Sequence, residues 1–403
     1  MDSLGLCFIT QRACMEDRRI KSMKYAMLLL VFSSSLIAVA ADKPVWTINT
    51  NKMNLPQKKY SPKEPMDDPD YKVQFTTDGK ILISYFESRP QTELITKDKP
   101  EKSGRIFVVL LLSNETGELI KRVEWPVMGE STPWQQFQYG SRINPLYSGG
   151  YVGIFNRRLQ VLDSSFNVIY DRVLETPEDI NFNLIASLRG QYFVVRFAED
   201  NNPVTEIIDS KTFKTVEQFN IPNGVIIDLW DDRLLVIRRT AAINESQLIE
   251  KKIGESQCRI LELANRRLAR ANYIYNGTII IAGYTGQAPG TKGFWFAIEG
   301  DKNGDLISRG LIFKPSWNTS ITASKTNHLS AIRSTFDLDS KDWIEAYDLD
   351  TQQILLSTKR YSSSNIVDYA ISPNGDSIVL MTKKKIELYT VSPSKLKKGD
   401  KKN

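Results

Sequence analysis

An all-β fold built by repetition is what this sequence predicts, and three observations carry it. The body is dense in apolar runs such as residues 80–85, 106–112 and 278–282, each β-branched or aromatic and bounded by Gly, Asp, Asn or Pro. Helical periodicity is missing over any useful window. Turn-forming pairs recur at intervals of about 40 to 55 residues, the length of a unit of four short strands.

Two series of turns define the repeat. The first precedes the most apolar strand of each unit: Asp78-Gly79, Gly149-Gly150, Arg189-Gly190, Asp231-Asp232, Asn276-Gly277, Thr326-Asn327 and Asn374-Gly375. The second follows an apolar pair: Ser113-Asn114, Asp163-Ser164, Asp209-Ser210 and Asp348-Leu349, with weaker members at 261–264 and 297–301. Asp, Asn and Gly suit these places because they tolerate left-handed backbone and hydrogen-bond their own chain. The series interleave, as they must if each unit is a meander of strands A, B, C and D. Seven turns of the first series therefore predict a seven-bladed β-propeller. The last unit shows only three strands, at 366–371, 377–381 and 386–391, while residues 44–48 form a lone strand near the other end. Using that N-terminal strand as the outer strand of the last blade closes the ring and covers an open edge. The expected organisation is thus 1–40 signal peptide, 41–70 closing strand and linker, 71–392 propeller and 393–403 basic tail.

The leader carries its own pattern. Lys24 precedes an apolar run from Ala26 to Val39 that is diluted by Ser33, Ser34 and Ser35, and Ala38-Val39-Ala40 supplies small residues for cleavage after Ala40. The run is shorter than the roughly 17 residues a membrane span needs. Either the segment before Met23 is an extended basic n-region or Met23 is the true start. A secreted or periplasmic location is expected, with no transmembrane anchor after cleavage. Of the three Cys only Cys258 would remain, so the mature chain has no internal disulfide and rests on its core.

Composition narrows function by exclusion. The 403 residues carry a formal charge of +6, of which +2 lies in the leader and +4 in the tail, so residues 41–392 are neutral. A neutral disc has no long-range field for phosphates, and no nucleic-acid partner is expected. With one His and three Cys, a His/Cys zinc cluster has too few ligands and a Ser/His/Asp relay has no choice of histidine. His328 is read as structural. Asp301-Lys302-Asn303-Gly304-Asp305 spaces oxygens like the start of a calcium loop but lacks its later Gly and bidentate Glu, and a hairpin turn explains it better. The acidic pairs Asp67-Asp68 and Asp231-Asp232 stand in linker and turn contexts that favour solvation. Sequons begin at Asn114, Asn244, Asn276 and Asn318. No cofactor and no metal site is expected.

The stretch Trp343-Ile344-Glu345-Ala346-Tyr347-Asp348-Leu349-Asp350-Thr351-Gln352, followed by Ser372-Pro373-Asn374-Gly375, resembles the blades of WD40-like and YVTN-like propellers. Those families carry an "Asp, then Thr-Gly" turn and a "Ser-Pro-Asp-Gly" turn. Gln352 replaces the Gly of the first and Asn374 the Asp of the second, and the Trp-Asp and Gly-His marks of true WD40 repeats are missing. The first unit, with residues 85–90 and 117–120, is similar to exported bacterial propeller proteins. The resemblance begins near residue 70 and implies the fold; it brings no catalytic residue.

In such a blade the A–B and C–D hairpins share one face of the disc, and the B–C and D–A connections share the other. The long insertions at 87–104, 126–137, 240–257 and 285–292 all map to the second face, where loops on a rigid ring serve binding. Candidate ligand-binding residues there are Arg89, Trp134, Arg157, Arg239 and Trp317. The fourth blade is the least regular, because residues 266–270 make a poor outer strand. The leading expectation is a binding or scaffold propeller that recognises a protein, peptide or glycan on that loop-rich face. The alternative is a quinoprotein-like or lactonase-like enzyme with a cofactor or metal in the channel, against which stand innermost strands that read as mostly apolar.

Overall fold

The computed structural model describes residues 42–56, 71–88, 105–126, 143–155, 158–174, 183–187, 189–199, 202–221, 224–239, 246–261, 266–274, 277–285, 294–299, 306–308, 321–336, 341–351, 353–362 and 365–391. They form seven antiparallel sheets, the blades. Blade 1 is Lys72–Phe75, Ile81–Ser88, Arg105–Leu112 and Leu119–Pro126. Blade 2 is Ile143–Pro145, Tyr151–Phe155, Arg158–Leu162 and Val168–Val173. Blade 3 is Asn183–Ala186, Tyr192–Glu199, Asn202–Asp209 and Thr215–Phe219. Blade 4 is Gly224–Trp230, Arg233–Arg239, Ser246–Lys252 and Cys258–Leu261. Blade 5 is Arg266–Tyr273, Ile279–Thr285, Phe294–Glu299 and Leu306–Ser308. Blade 6 is Ile321–Ala323, Leu329–Phe336, Lys341–Asp348 and Ile354–Ser357, with Tyr361–Ser362 added beside its third strand. Blade 7 is Ile366–Ile371, Ser377–Thr382 and Lys385–Thr390, completed by Trp46–Asn49.

That N-terminal strand runs antiparallel to the third strand of blade 7, with Trp46 opposite Leu388 and Ile48 opposite Ile386. It also reaches blade 1, because Trp46 Nε1 donates to the Asn114 carbonyl at 2.8 Å. The turn that receives it is tight at Gly117: its φ of +74° is left-handed, and a Cβ there would lie 2.5 Å from Ile48 Cδ1 and push that side chain aside.

The apolar runs are continuous because both faces of each sheet are buried against a neighbour. In blade 1, Ile81, Ile83 and Tyr85 pack toward Val379, Met381 and Leu388 of blade 7. The alternate residues Leu82 and Phe86 pack toward Ile143, Tyr151 and Phe155 of blade 2. The same alternation joins blades 2 and 3, 3 and 4, 4 and 5, and 6 and 7. Period-two burial on two sides thus produces strands that look uniformly hydrophobic.

Polar side chains on or just after the innermost strands tie blades 1, 2, 3, 4, 6 and 7 each to the next. Gln74 Nε2 donates to the Ile143 carbonyl at 3.0 Å, Asn144 Nδ2 to Leu184 at 2.9 Å, and Asn183 Nδ2 to Ile226 at 2.8 Å. Asp228 Oδ2 accepts the Tyr273 N–H at 2.8 Å, Ser324 Oγ donates to the Pro373 carbonyl at 2.7 Å, and Asp368 Oδ2 accepts the Val73 N–H at 2.8 Å. The last of these joins blade 7 to blade 1. The inner strands are therefore less apolar than the sequence reading has them: their polar side chains are used for blade-to-blade register, each contact adding roughly 1 kcal/mol net.

Both series of turns show their chemistry. Ser187 Oγ accepts the N–H groups of Arg189 at 3.1 Å and Gly190 at 2.8 Å, and Ser372 Oγ accepts that of Ser377 at 3.0 Å. In the C–D series Asp163, Asp209 and Asp348 each accept two backbone N–H groups that follow them. Left-handed backbone falls on Phe166 and Phe213 as well as Gly117. Ring stacking holds the two Phe there, Phe166 on Tyr151 at 4.3 Å and Phe213 on Tyr170 at 5.0 Å.

Blade 4 corrects the sequence reading. Residues 246–252, expected within an insertion, are its third strand; the C–D turn falls at 253–257, and 261–264 is not that turn. Arg266–Tyr273 is the innermost strand of blade 5, not an outer strand of blade 4. The third strand hides because it buries charges. Glu250 accepts from Tyr273 Oη at 3.0 Å and pairs with Arg233 at 3.3 Å, and Lys251 pairs with Glu217 at 2.6 Å. Among the described residues no helix is long and apolar enough to cross a membrane.

Candidate functional site

The A–B and C–D hairpins form one face of the disc, and on it the turns of blades 2, 3 and 4 line an open cavity of about 530 Å³. Tyr147 and Ser148 come from the A–B turn of blade 2, Arg189, Gly190 and Gln191 from that of blade 3, and Asp231 and Asp232 from that of blade 4. The C–D turn of blade 3 adds Ser210 and Lys211, and Tyr192 begins the strand behind them. Turns from different blades meet because small residues let them: a Cβ on Gly190 would lie 2.8 Å from the backbone of Asp231. Asp231 itself has φ 47°, a left-handed conformation that Asp tolerates better than most side chains.

Arg189 links this cavity to the rest of the face. Its guanidinium lies 4.8 Å from the ring centre of Trp230, and its Nη1 donates to the Lys325 carbonyl at 3.3 Å. Lys325 belongs to the A–B turn of blade 6, so this contact joins turns three blades apart and crosses the mouth of the central channel. The Lys325 ammonium pairs with Asp228, and donates to the Tyr273 carbonyl at 3.1 Å. Asp228 is 8% exposed and accepts the Leu229 N–H at 2.9 Å, so the pair is held inside the ring by backbone on two blades.

His328 gains partners that the sequence left unseen. Nε2 lies 3.1 Å from Asp348 Oδ2 and Nδ1 lies 3.7 Å from Asp350 Oδ2, across the strand pair that begins at Leu329 and ends at Asp348. One nitrogen and two carboxylates, their ligand atoms within 4.8 Å of one another, are a donor set that a divalent cation also uses. The turn hydrogen bonds to Asp348 give the group a structural role in blade 6.

Arg89, Trp134, Arg157 and Trp317 lie outside the described residues. Arg239 ends the second strand of blade 4 opposite Ser246, at the B–C end of that blade, and its side chain too lies outside them. Asp301–Asp305 falls outside as well; the described residues on either side, Glu299 and Leu306, pair across the third and fourth strands of blade 5. The cavity escaped the sequence reading because its walls come from turns scattered over some 85 residues. The signal available was the clustering of Arg189, Lys211, Asp231 and Asp232 in turns of one face.

No protein-family model matches the chain, and no curated protein matches it in sequence. Solved structures match it in shape. Hydrazine synthase of Kuenenia stuttgartiensis superposes with a TM-score of 0.52 at 12% identity, covering 83% of this chain and 100% of that one. The Pan2 WD40 domain of Neurospora crassa gives 0.52 at 9% identity, over 87% and 95%. Oligogalacturonate lyase from Vibrio parahaemolyticus gives 0.52 at 12% identity, over 87% and 93%. Enzymes and WD40 domains thus share one architecture, and likeness at this identity speaks to fold alone. In its fold, the chain is a β-propeller.

Proposed function

We propose that the chain is an exported propeller that binds a protein, peptide or glycan and catalyses no reaction. The observation that carries this reading is the cavity of about 530 Å³ among the turns of blades 2, 3 and 4, within the size range of small-ligand pockets and mounted on a ring pinned blade to blade. Export is supported by the leader pattern, with cleavage expected after Ala40, and a secreted or periplasmic location is the reading it favours. Arg89, Trp134, Arg157, Arg239 and Trp317 are kept from the sequence as the expected binding residues of a second surface for a larger partner. A channel-bound cofactor has less support, since the Arg189 contact to Lys325 spans one channel mouth and Asp228 already occupies the Lys325 ammonium.

The test is capture of partners from the exported fraction with the mature protein, alongside metal and quinone analysis of the same preparation. A partner retained by the native protein and lost by a Tyr147→Ala variant supports the reading. A stoichiometric metal or a bound quinone, together with turnover of a substrate, overturns it.

A further inference from the structure

We infer that the cavity on the A–B face is a saccharide site that takes a neutral oligosaccharide. This rests on the binding reading above and narrows it to one ligand class. The walls are made only of Tyr, Ser, Arg, Gly, Gln, Lys and Asp, with no aliphatic side chain to receive a Leu or Val of a peptide. Arg189 and Lys211 balance Asp231 and Asp232, so the lining has no net charge with which to attract a phosphate or a charged polymer.

Donors and acceptors are mixed within one small volume. A sugar hydroxyl both donates and accepts, so a carboxylate beside an ammonium or amide satisfies it on both counts. The side chains of Asp231, Asp232, Lys211 and Tyr147 make no hydrogen bond to another described residue, which leaves them available to a ligand. Tyr147 is 58% exposed at the rim and offers a flat apolar face, the surface against which a pyranose ring packs its C–H side. Three parts of the site are set before any ligand arrives. Ser187 fixes the Arg189 turn, Trp230 lies against the guanidinium, and Asp231 is held in left-handed backbone.

The experiment is calorimetric titration of the mature protein with hits from an array of neutral glycans, with an array of zwitterionic and acidic peptides in parallel. The expected result is one-to-one binding of a neutral oligosaccharide that weakens at least tenfold in Tyr147→Ala and in Asp232→Ala and is kept by Tyr147→Phe. Asp231→Asn, which keeps the left-handed backbone, weakens binding as well, so the inference stays testable if an alanine variant folds poorly. Peptide binding with the same sensitivity and no saccharide binding overturns the ligand class but leaves the binding reading standing. If no glycan, peptide or captured partner responds to these substitutions, both fail.

Discussion

Replacing Asp228 by Ala removes one acceptor that serves two blades and a charge. The carboxylate takes the Leu229 N–H at 2.9 Å and the Tyr273 N–H at 2.8 Å, and it neutralises Lys325. The Lys325 side chain is only 12% exposed, so without Asp228 its ammonium keeps the Tyr273 carbonyl and little else. Breaking one side of a buried ion pair costs about 3–5 kcal/mol. Stranding a buried N–H adds about 1–3 kcal/mol, and the two overlap because one carboxylate serves both. Asp228→Ala should therefore destabilise the propeller by at least about 3 kcal/mol. Adding Lys325→Met removes the stranded charge and leaves only the backbone loss, so the double variant should be more stable than Asp228→Ala alone. Guanidinium denaturation read by tryptophan fluorescence measures both, with an unchanged slope required for the comparison to hold. A loss below about 1 kcal/mol for Asp228→Ala, or a double variant no more stable than the single one, refutes a buried clamp at this position.

Three further outcomes follow from the same geometry. Gly117→Ala combines a left-handed φ of +74° with a Cβ 2.5 Å from Ile48, so it should loosen the closing strand, with faster hydrogen exchange in Trp46–Asn49 than in blade 3; equal exchange would refute the packing. The Asn167 side chain and following backbone N–H groups hold the Asp163 carboxyl below its usual 3.8, and backbone N–H groups outweigh slight burial to do the same for Asp209. These depressed values stabilise the turns above the unfolded value and lose that contribution as pH falls through the folded one; carboxyl NMR titrations should show both midpoints below 3.8. Burial pushes Tyr85 up to about 12 against the pull of Arg122, so its contribution to stability is full below pH 10 and lost as pH rises toward 12, and an ultraviolet titration should show a phenol that resists ionisation until that range.

The seven A–B turns were legible in the sequence because each needs Gly, Asp, Asn or a hydroxyl at a fixed place, and the turn chemistry is local. The N-terminal strand was legible by counting, since the last unit lacks an outer strand and residues 44–48 lack a hairpin. Blade 4 misled for a physical reason. Glu250 and Lys251 read as loop residues, yet they are buried on a strand and paired by Tyr273 and Glu217, which stand 23 and 34 residues away. The polar clasp between inner strands was also hidden, because Asn144 or Asp228 looks like any turn residue until its partner in the next blade is known. The cavity needs four turns brought together by the packing of blades 2, 3 and 4, and no local pattern announces it. The sequence did announce the opposite face through its long insertions, and that expectation still stands as a proposal.

The most direct test of the central claim is a hydrogen-exchange footprint of the mature protein with its captured ligand bound. Binding at the A–B face predicts slowed exchange at residues 147–148, 189–192, 210–211 and 231–232, which line the cavity. Protection confined to the insertions at 87–104, 126–137 and 285–292 on the other face would contradict it.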